Sequence, residues 1–332
     1  MTEKALSIDY EAIRPSLDIR ILTLHSGSDN DPITCSLHRA ARGACKYKAL
    51  SYEWREESDN DPNIVIENQS VRVRQNLSHA LRNIRLPSED VDLWVDAICI
   101  NQADVAEKSN QVAMMEETFS NATSVIVWLG TAHSDSDIAM DWLSDPSTIQ
   151  DRVSSHIRDS LEFQALVSFC NRPYWLRIWI IQELFLSRSY IVYCGSKSIP
   201  DEIFDKSFLL LAATNSQGIN LSAADYHIST RRMNKDVPSV NRMRRWIALC
   251  SKLGFQCSRE HDRIYGLLGI SHDYKFVEQN IDVDYSKSPR ELFIEVIQKR
   301  FLSWYGDKRI CERLAITMNV ELDDELRSLI TS

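Results

Sequence analysis

The sequence predicts an α/β protein, a parallel sheet flanked by helices with added hairpins, followed by a mostly helical C-terminal part. Three observations carry this. Val91 to Ile100 (VDLWVDAICI) is almost continuously apolar, as expected of a strand covered on both faces. Asp104 to Thr123 then sets Val105, Val112, Met115, Phe119 and Ala122 at helical spacing, and Ser124 to Leu129 returns to a strand pattern. From Phe204 onward helical patterns dominate, with a polar break around Asn215 to Ala224.

Taken in order, Ile19 to Leu24 and Ile33 to Leu37 read as short strands around a loop rich in turn formers, Gly27 to Pro32. Tyr47 to Tyr52 is a third strand and polar Arg55 to Pro62 a loop. Ile64 to Ile66 and Val71 to Val73 flank Glu67-Asn68-Gln69-Ser70 as a hairpin. Asn76 is placed to cap a helix through Leu77, Ala80, Leu81 and Ile84. After the strand–helix–strand alternation of the middle, Gly130 ends a strand, Asp141 to Cys170 is mainly helical, and Arg172 to Ser187 is an aromatic-rich helix. Tyr190 to Cys194 is a further strand, and a boundary falls near Pro200.

A chain of 332 residues with 44% hydrophobic content can bury a sizeable core. Its 47 acidic and 38 basic residues leave a net charge of -9, which argues against a general nucleic-acid binder. The basic cluster Arg231, Arg232, Arg242, Arg244 and Arg245 reads as a solvated helix face. Eight cysteines form no Cys-x-x-Cys pair, and several sit in apolar runs, where they behave as small hydrophobes. Met1 to Asp18 has no apolar signal core, and no apolar stretch is long enough to span a bilayer. A reduced, cytoplasmic protein is expected. Cys250, Cys257 and His261 match no zinc pattern, so no metal site is expected. Phosphate-loop and Gly-x-Gly-x-x-Gly motifs are missing, which argues against P-loop NTPases and dehydrogenases.

Several segments resemble the fungal heterokaryon incompatibility (HET) domain family. Tyr47 to Trp54 (YKALSYEW) is similar to its opening motif. Leu93 to Gln102 (LWVDAICINQ), with Glu107, Gln111-Val112 and Met115, is similar to the second, which Val125 to Gly130 closes. Arg172 to Trp175, Arg177 to Trp179 and Gln182-Glu183 resemble the third block, and Asp262 to Gly269 (DRIYGLLG) resembles a segment that often follows. Order and approximate spacing are shared over about Ile19 to Ile270. The resemblance implies a HET domain over 19–200, with 201–332 a helical extension packed on it. It implies a fold related to TIR (Toll/interleukin-1 receptor-like) domains, a flavodoxin-like parallel sheet, and a role in fungal cell death after non-self recognition. One departure is Arg55, where the family usually has Gly after the motif tryptophan; losing that glycine predicts a reshaped loop.

Some TIR-like relatives cleave NAD with a glutamate at the carboxyl edge of the sheet, which makes NAD a candidate substrate, with no other cofactor required. In an open parallel sheet, ligands sit outside the carboxyl ends of the strands. Ser51, Tyr52 and Trp54 end one strand and Asp96 to Asn101 another, and Glu107 opens the next helix. Glu107 and Asp96 are therefore the candidate catalytic carboxylates for an oxocarbenium-like transition state. Ser51, Tyr52, Trp54, Asn101, Gln102 and Gln111 are candidate ligand contacts: Trp54 or Tyr52 to stack on a ring, Gln111 to hold a ribose hydroxyl. The structural alternatives are a dipole-stabilising role for Glu107 and a loop-organising one for Asp96. The Trp175/Trp179 pair with Arg177, Gln182 and Glu183 reads as core and interface packing. The competing function is a non-enzymatic scaffold that self-associates, or binds another cell-death regulator, through a sheet edge or the Trp175/Trp179 helix.

Overall fold

The computed structural model describes residues 8–133, 135–152, 159–214, 223–224, 227–228, 231, 241–275, 280–299, 301–302 and 308–331. Its centre is a nine-stranded mixed sheet of order β5-β4-β2-β1-β6-β3-β7-β8-β9. The strands are β1 Asp18–Leu24, β2 Thr34–Ala41, β3 Lys48–Tyr52, β4 Asn63–Ile66, β5 Gln69–Arg72, β6 Val91–Trp94, β7 Ser124–Trp128, β8 Tyr190–Cys194 and β9 Lys197–Pro200. The middle is parallel, and at one flank β2 also pairs in parallel with β4. β3 pairs in parallel with β6 and with β7, and β7 with β8. Numbered in chain order, these four strands lie 2-1-3-4, the flavodoxin-like order without its fifth strand. β1, β2 and β9 add antiparallel pairs at the flanks. β7 is buried at every position, Ser124 to Trp128, as its run of β-branched residues predicts for a strand covered on both faces.

The hairpin between β4 and β5 forms as expected, with Glu67 (φ 48°) and Asn68 (φ 63°) both left-handed, the geometry a two-residue turn between twisted strands needs. Four expectations are corrected. The strand read through Ile100 ends at Trp94, and α2 (Asp96–Cys99) turns back so that the Cys99 amide donates to the Val95 carbonyl at 2.7 Å. Its apolar run is continuous because the turn, too, is buried. Asn76 does not cap α1 (Gln75–Ile84): the first amide donates instead to Asp61 at 3.0 Å. Asn76 bridges inward, accepting from Trp128 Nε1 at 2.9 Å and donating to the Glu53 carbonyl at 2.8 Å. The helix read over Asp104 to Thr123 breaks at Met114 into α3 (Val105–Ala113) and α4 (Met115–Asn121). The aromatic helix divides into a single 3-10 turn, Pro173–Leu176, and α8 (Trp179–Leu186), with Pro173 opening the turn where its missing N–H costs nothing.

Asp141 to Cys170 holds the end of α5 (Ser136–Ser144), then α6 (Pro146–Arg152) and α7 (Leu161–Cys170); α9 (Asp201–Thr214) starts where β9 ends. Among the described residues, α-helices Met243–Leu253, Asp262–Leu268, Pro289–Gln298, Lys308–Thr317 and Asp324–Thr331 follow, with a 3-10 turn at His272–Lys275. The break at Asn215 to Ala224 lies, save 223–224, outside the described residues. So does Arg232, but Arg231 is not on a solvated face: it pairs with Asp201 at 3.1 Å and Asp205 at 3.2 Å over the Tyr190 ring. Arg242, Arg244 and Arg245 are exposed. The C-terminal part shares one core with the sheet layer: Trp246 packs edge-on against Phe185, and the His227 ring donates to the Trp175 carbonyl at 3.0 Å. None of the described helices is long and apolar enough to cross a membrane.

Candidate functional site

Two strand ends build the site. β3 delivers Tyr52, Glu53 and Trp54 to the carboxyl rim; β6 delivers Asp96 beside them, one residue past Val95. Trp54 Nε1 donates to Asp96 Oδ1 at 3.1 Å, and the Ala97 amide donates to the same oxygen at 2.7 Å. Gln102 donates to the Asp96 carbonyl at 2.9 Å, which folds the β6–α3 connection over the rim. A cleft of about 240 Å³ opens here. It is lined by Glu53, Trp54, Asp96, Gln102 and Lys108, by Arg177 just after the 3-10 turn and Trp179 at the start of α8, and by Arg259, Asp262 and Tyr285 from the C-terminal part.

The cleft is charged but balanced. Burial raises the Asp96 carboxyl above its ordinary value, and the Arg177 guanidinium, the Trp54 N–H, the Ala97 amide and Lys108 oppose that. Burial likewise raises Asp262, whose Oδ1 accepts from the Tyr285 hydroxyl at 2.7 Å. Behind the wall stands a buried polar chain. Ser51 Oγ lies 2.6 Å from the Tyr174 hydroxyl and donates to Glu183 on α8. Desolvation pushes Glu183 up to about 7, with Arg177 and Ser51 pulling down and Asp96 pushing further up. Arg177 also donates to the Tyr52 carbonyl, so a guanidinium anchored at the end of β3 lowers both carboxyls through its charge.

The expected rim residues therefore separate into three sets. Trp54, Asp96 and Gln102 meet in the cleft. Ser51 and Tyr52 are buried just behind it, and the Tyr52 phenol is pushed well up by burial and by Asp96. Glu107, Asn101 and Gln111 do not line it. Glu107 receives both Arg20 nitrogens, at 2.6 and 3.0 Å, and the Asn101 amide at 2.7 Å. Arg20 is only 2% exposed, so Glu107 neutralises a buried cation of β1. Gln111, also buried, accepts from Arg42 at 2.7 Å, and the Asn101 side chain accepts from the Ala103 amide at 3.2 Å. Arg55 takes an ordinary backbone conformation: the non-glycine residues at positive φ are Ser16, Glu67, Asn68 and Asn319. Its guanidinium instead lies over Gly130 (φ 101°), 3.2 Å from where a Cβ there would sit, beside Arg172.

Glu183, Arg177, Trp179, Lys108, Arg259 and Tyr285 are the cleft and wall residues that sequence reasoning passed over or read as packing. One signal was available: Glu183 interrupts an otherwise apolar helix, WIIQELFL, and a carboxylate there must be buried with partners. Among the described residues no group of His, Cys, Asp and Glu is gathered as a metal site.

Sheet order and cleft define a class, α/β proteins with a cleft at the carboxyl rim of a parallel sheet. Residues 47–183 match the family described as Heterokaryon incompatibility protein (HET). The chain is also similar to "Heterokaryon incompatibility protein 6, OR allele" of Neurospora crassa, 30% identical over 237 residues that cover 57% of this chain and 35% of the relative. It thus spans about a third of the curated relative's length. No solved structure matches it.

Proposed function

We propose that this chain acts in fungal heterokaryon incompatibility as a cell-death effector that hydrolyses NAD in the cleft between Trp54, Asp96 and Trp179. The observation that carries this reading is a half-buried carboxylate, Asp96, held by the indole N–H of Trp54 at the rim of a 2-1-3-4 parallel sheet. Water adds to C1′ of the nicotinamide ribose, the C–N bond breaks with its electron pair going to the pyridinium ring, and the water proton leaves. The products are ADP-ribose, nicotinamide and a proton. Positive charge builds on the ribose as the bond stretches, and a carboxylate beside it lowers that barrier. Trp54 and Trp179 offer faces to the bases, and Arg177 fixes the end of β3. Glu107 takes the supporting role: its ion pair holds the Asn101 amide and the loop that carries Gln102.

The scaffold reading loses its strongest surface, because Trp175 is 1% exposed in the core and Trp179 faces the cleft. Purified protein, alone and under crowding, is expected to release nicotinamide from NAD, read by chromatography, and Trp54→Ala to release markedly less. A wild-type chain that kills cells yet releases none transfers the function to assembly.

A further inference from the structure

We propose that the wall of the cleft supplied from outside the HET match is a diphosphate subsite centred on Arg259, so that the ligand class is a nucleoside diphosphate ester rather than a bare nucleoside. This rests on the dinucleotide reading above. The family match ends at Glu183, yet Arg259, Asp262 and Tyr285 line the same cavity as Trp54 and Asp96. Two cations from different parts of the chain converge on one ring there: Arg259 lies 5.4 Å and Lys108 5.3 Å from the centre of Tyr285. The ring is fixed from below, its hydroxyl donating to buried Asp262.

Arg259 is half-buried; its carbonyl accepts from the Asp262 amide at 3.1 Å, while its guanidinium, among the described residues, makes no hydrogen bond or ion pair within 4 Å and lies over the Tyr285 ring, with the Asp262 carboxyl in its field. A guanidinium held flat on an aromatic ring keeps its fork of N–H donors open at the edge, and that fork fits two phosphate oxygens. Burial of Asp262 favours its neutral form, while the bond from the Tyr285 hydroxyl and the charges of Lys108 and Arg259 act against that. Asp96 sits with Trp54 instead, where the reading above puts the ribose. Asp96 beside Trp54 thus serves the sugar, and Arg259 over Tyr285 serves the phosphates. Its volume of about 240 Å³ is below that of a typical drug-sized pocket, about 300 Å³ or more, so part of a dinucleotide lies along the open mouth.

Tryptophan fluorescence of the full chain, titrated with ADP-ribose and with nicotinamide riboside, tests this in wild type, Arg259→Ala and Arg259→Lys. Arg259→Ala is expected to weaken ADP-ribose about tenfold, the loss of one charge-assisted contact, with Arg259→Lys between the two. Nicotinamide riboside affinity and melting temperature stay unchanged. Equal weakening of both ligands, undiminished ADP-ribose binding by Arg259→Ala, or failure of the wild type to bind ADP-ribose overturns the subsite. A chain that binds ADP-ribose through Arg259 but releases no nicotinamide keeps the subsite and loses the hydrolysis.

Discussion

At the scale of residues, the two carboxylates that the sequence offers for chemistry occupy opposite situations. Glu107 is committed to Arg20, a cation 2% exposed, and to a backbone amide. Removing one partner of a buried pair leaves the other charge stranded, so Glu107→Ala should cost about 3–5 kcal/mol of stability in urea unfolding. A loss below about 1 kcal/mol, the range of exposed pairs, would show that this ion pair is not buried in solution. Glu183 titrates in the reverse sense from most carboxylates. Its native pKa near 7 lies above the ordinary value of 4.5, so the folded state holds the proton longer than the unfolded chain. The stability this contributes is complete below about pH 4.5 and is lost as pH rises to about 7, by at most roughly 3 kcal/mol. Glu183→Gln should therefore flatten the fall of the unfolding midpoint between about pH 5 and about pH 8. Asp96 and Asp262, also raised, slope the same way in both proteins and leave a residual decline. Parallel profiles would mean that Glu183 ionises freely.

Elements show where the sequence is informative. β7 was readable because a strand buried on both faces has a single composition, and the Glu67-Asn68 hairpin because its turn restricts residue type. The limits of β6 were not readable. Val95 to Ile100 is as apolar as a strand, and only the 2.7 Å bond from Cys99 back to Val95 distinguishes the turn. That turn puts Asp96 at the rim while Glu107 pairs with Arg20 of β1, so a few residues in the limit of the strand change which carboxylate lines the cleft. Arg259 was invisible for another reason: its role depends on Tyr285 and Lys108, which are remote in sequence. The Asp262–Leu268 helix reaches the HET segment through its C-cap, Gly269, where a Cβ would lie 2.9 Å from Glu116 Cβ and 3.1 Å from Gln182 Nε2. Its φ of -63° suits any residue, so the constraint is space alone. Gly269→Ala should lower stability by about 1–3 kcal/mol through overpacking. An unchanged melting temperature would mean that this helix does not dock on α4 and α8.

The whole molecule joins a sheet whose central order is legible as α/β to a C-terminal part that completes its cleft. Pro200 ends the last strand, but Phe185 meets Trp246 and Trp54 shares its cavity with Arg259 across that point. A cleft assembled from both parts gives a ligand leverage over their packing, because binding to the closed arrangement stabilises it by mass action. The central claim is that Asp96, and not Glu107, is the carboxylate at the reacting carbon. It is tested most directly by nicotinamide release from NAD by Asp96→Asn and Glu107→Gln, each corrected for its folded fraction. The account predicts that Asp96→Asn loses about two orders of magnitude or more, the scale of one lost electrostatic stabiliser, while folded Glu107→Gln stays within a few-fold of wild type. Full activity in Asp96→Asn, with none in folded Glu107→Gln, would contradict it.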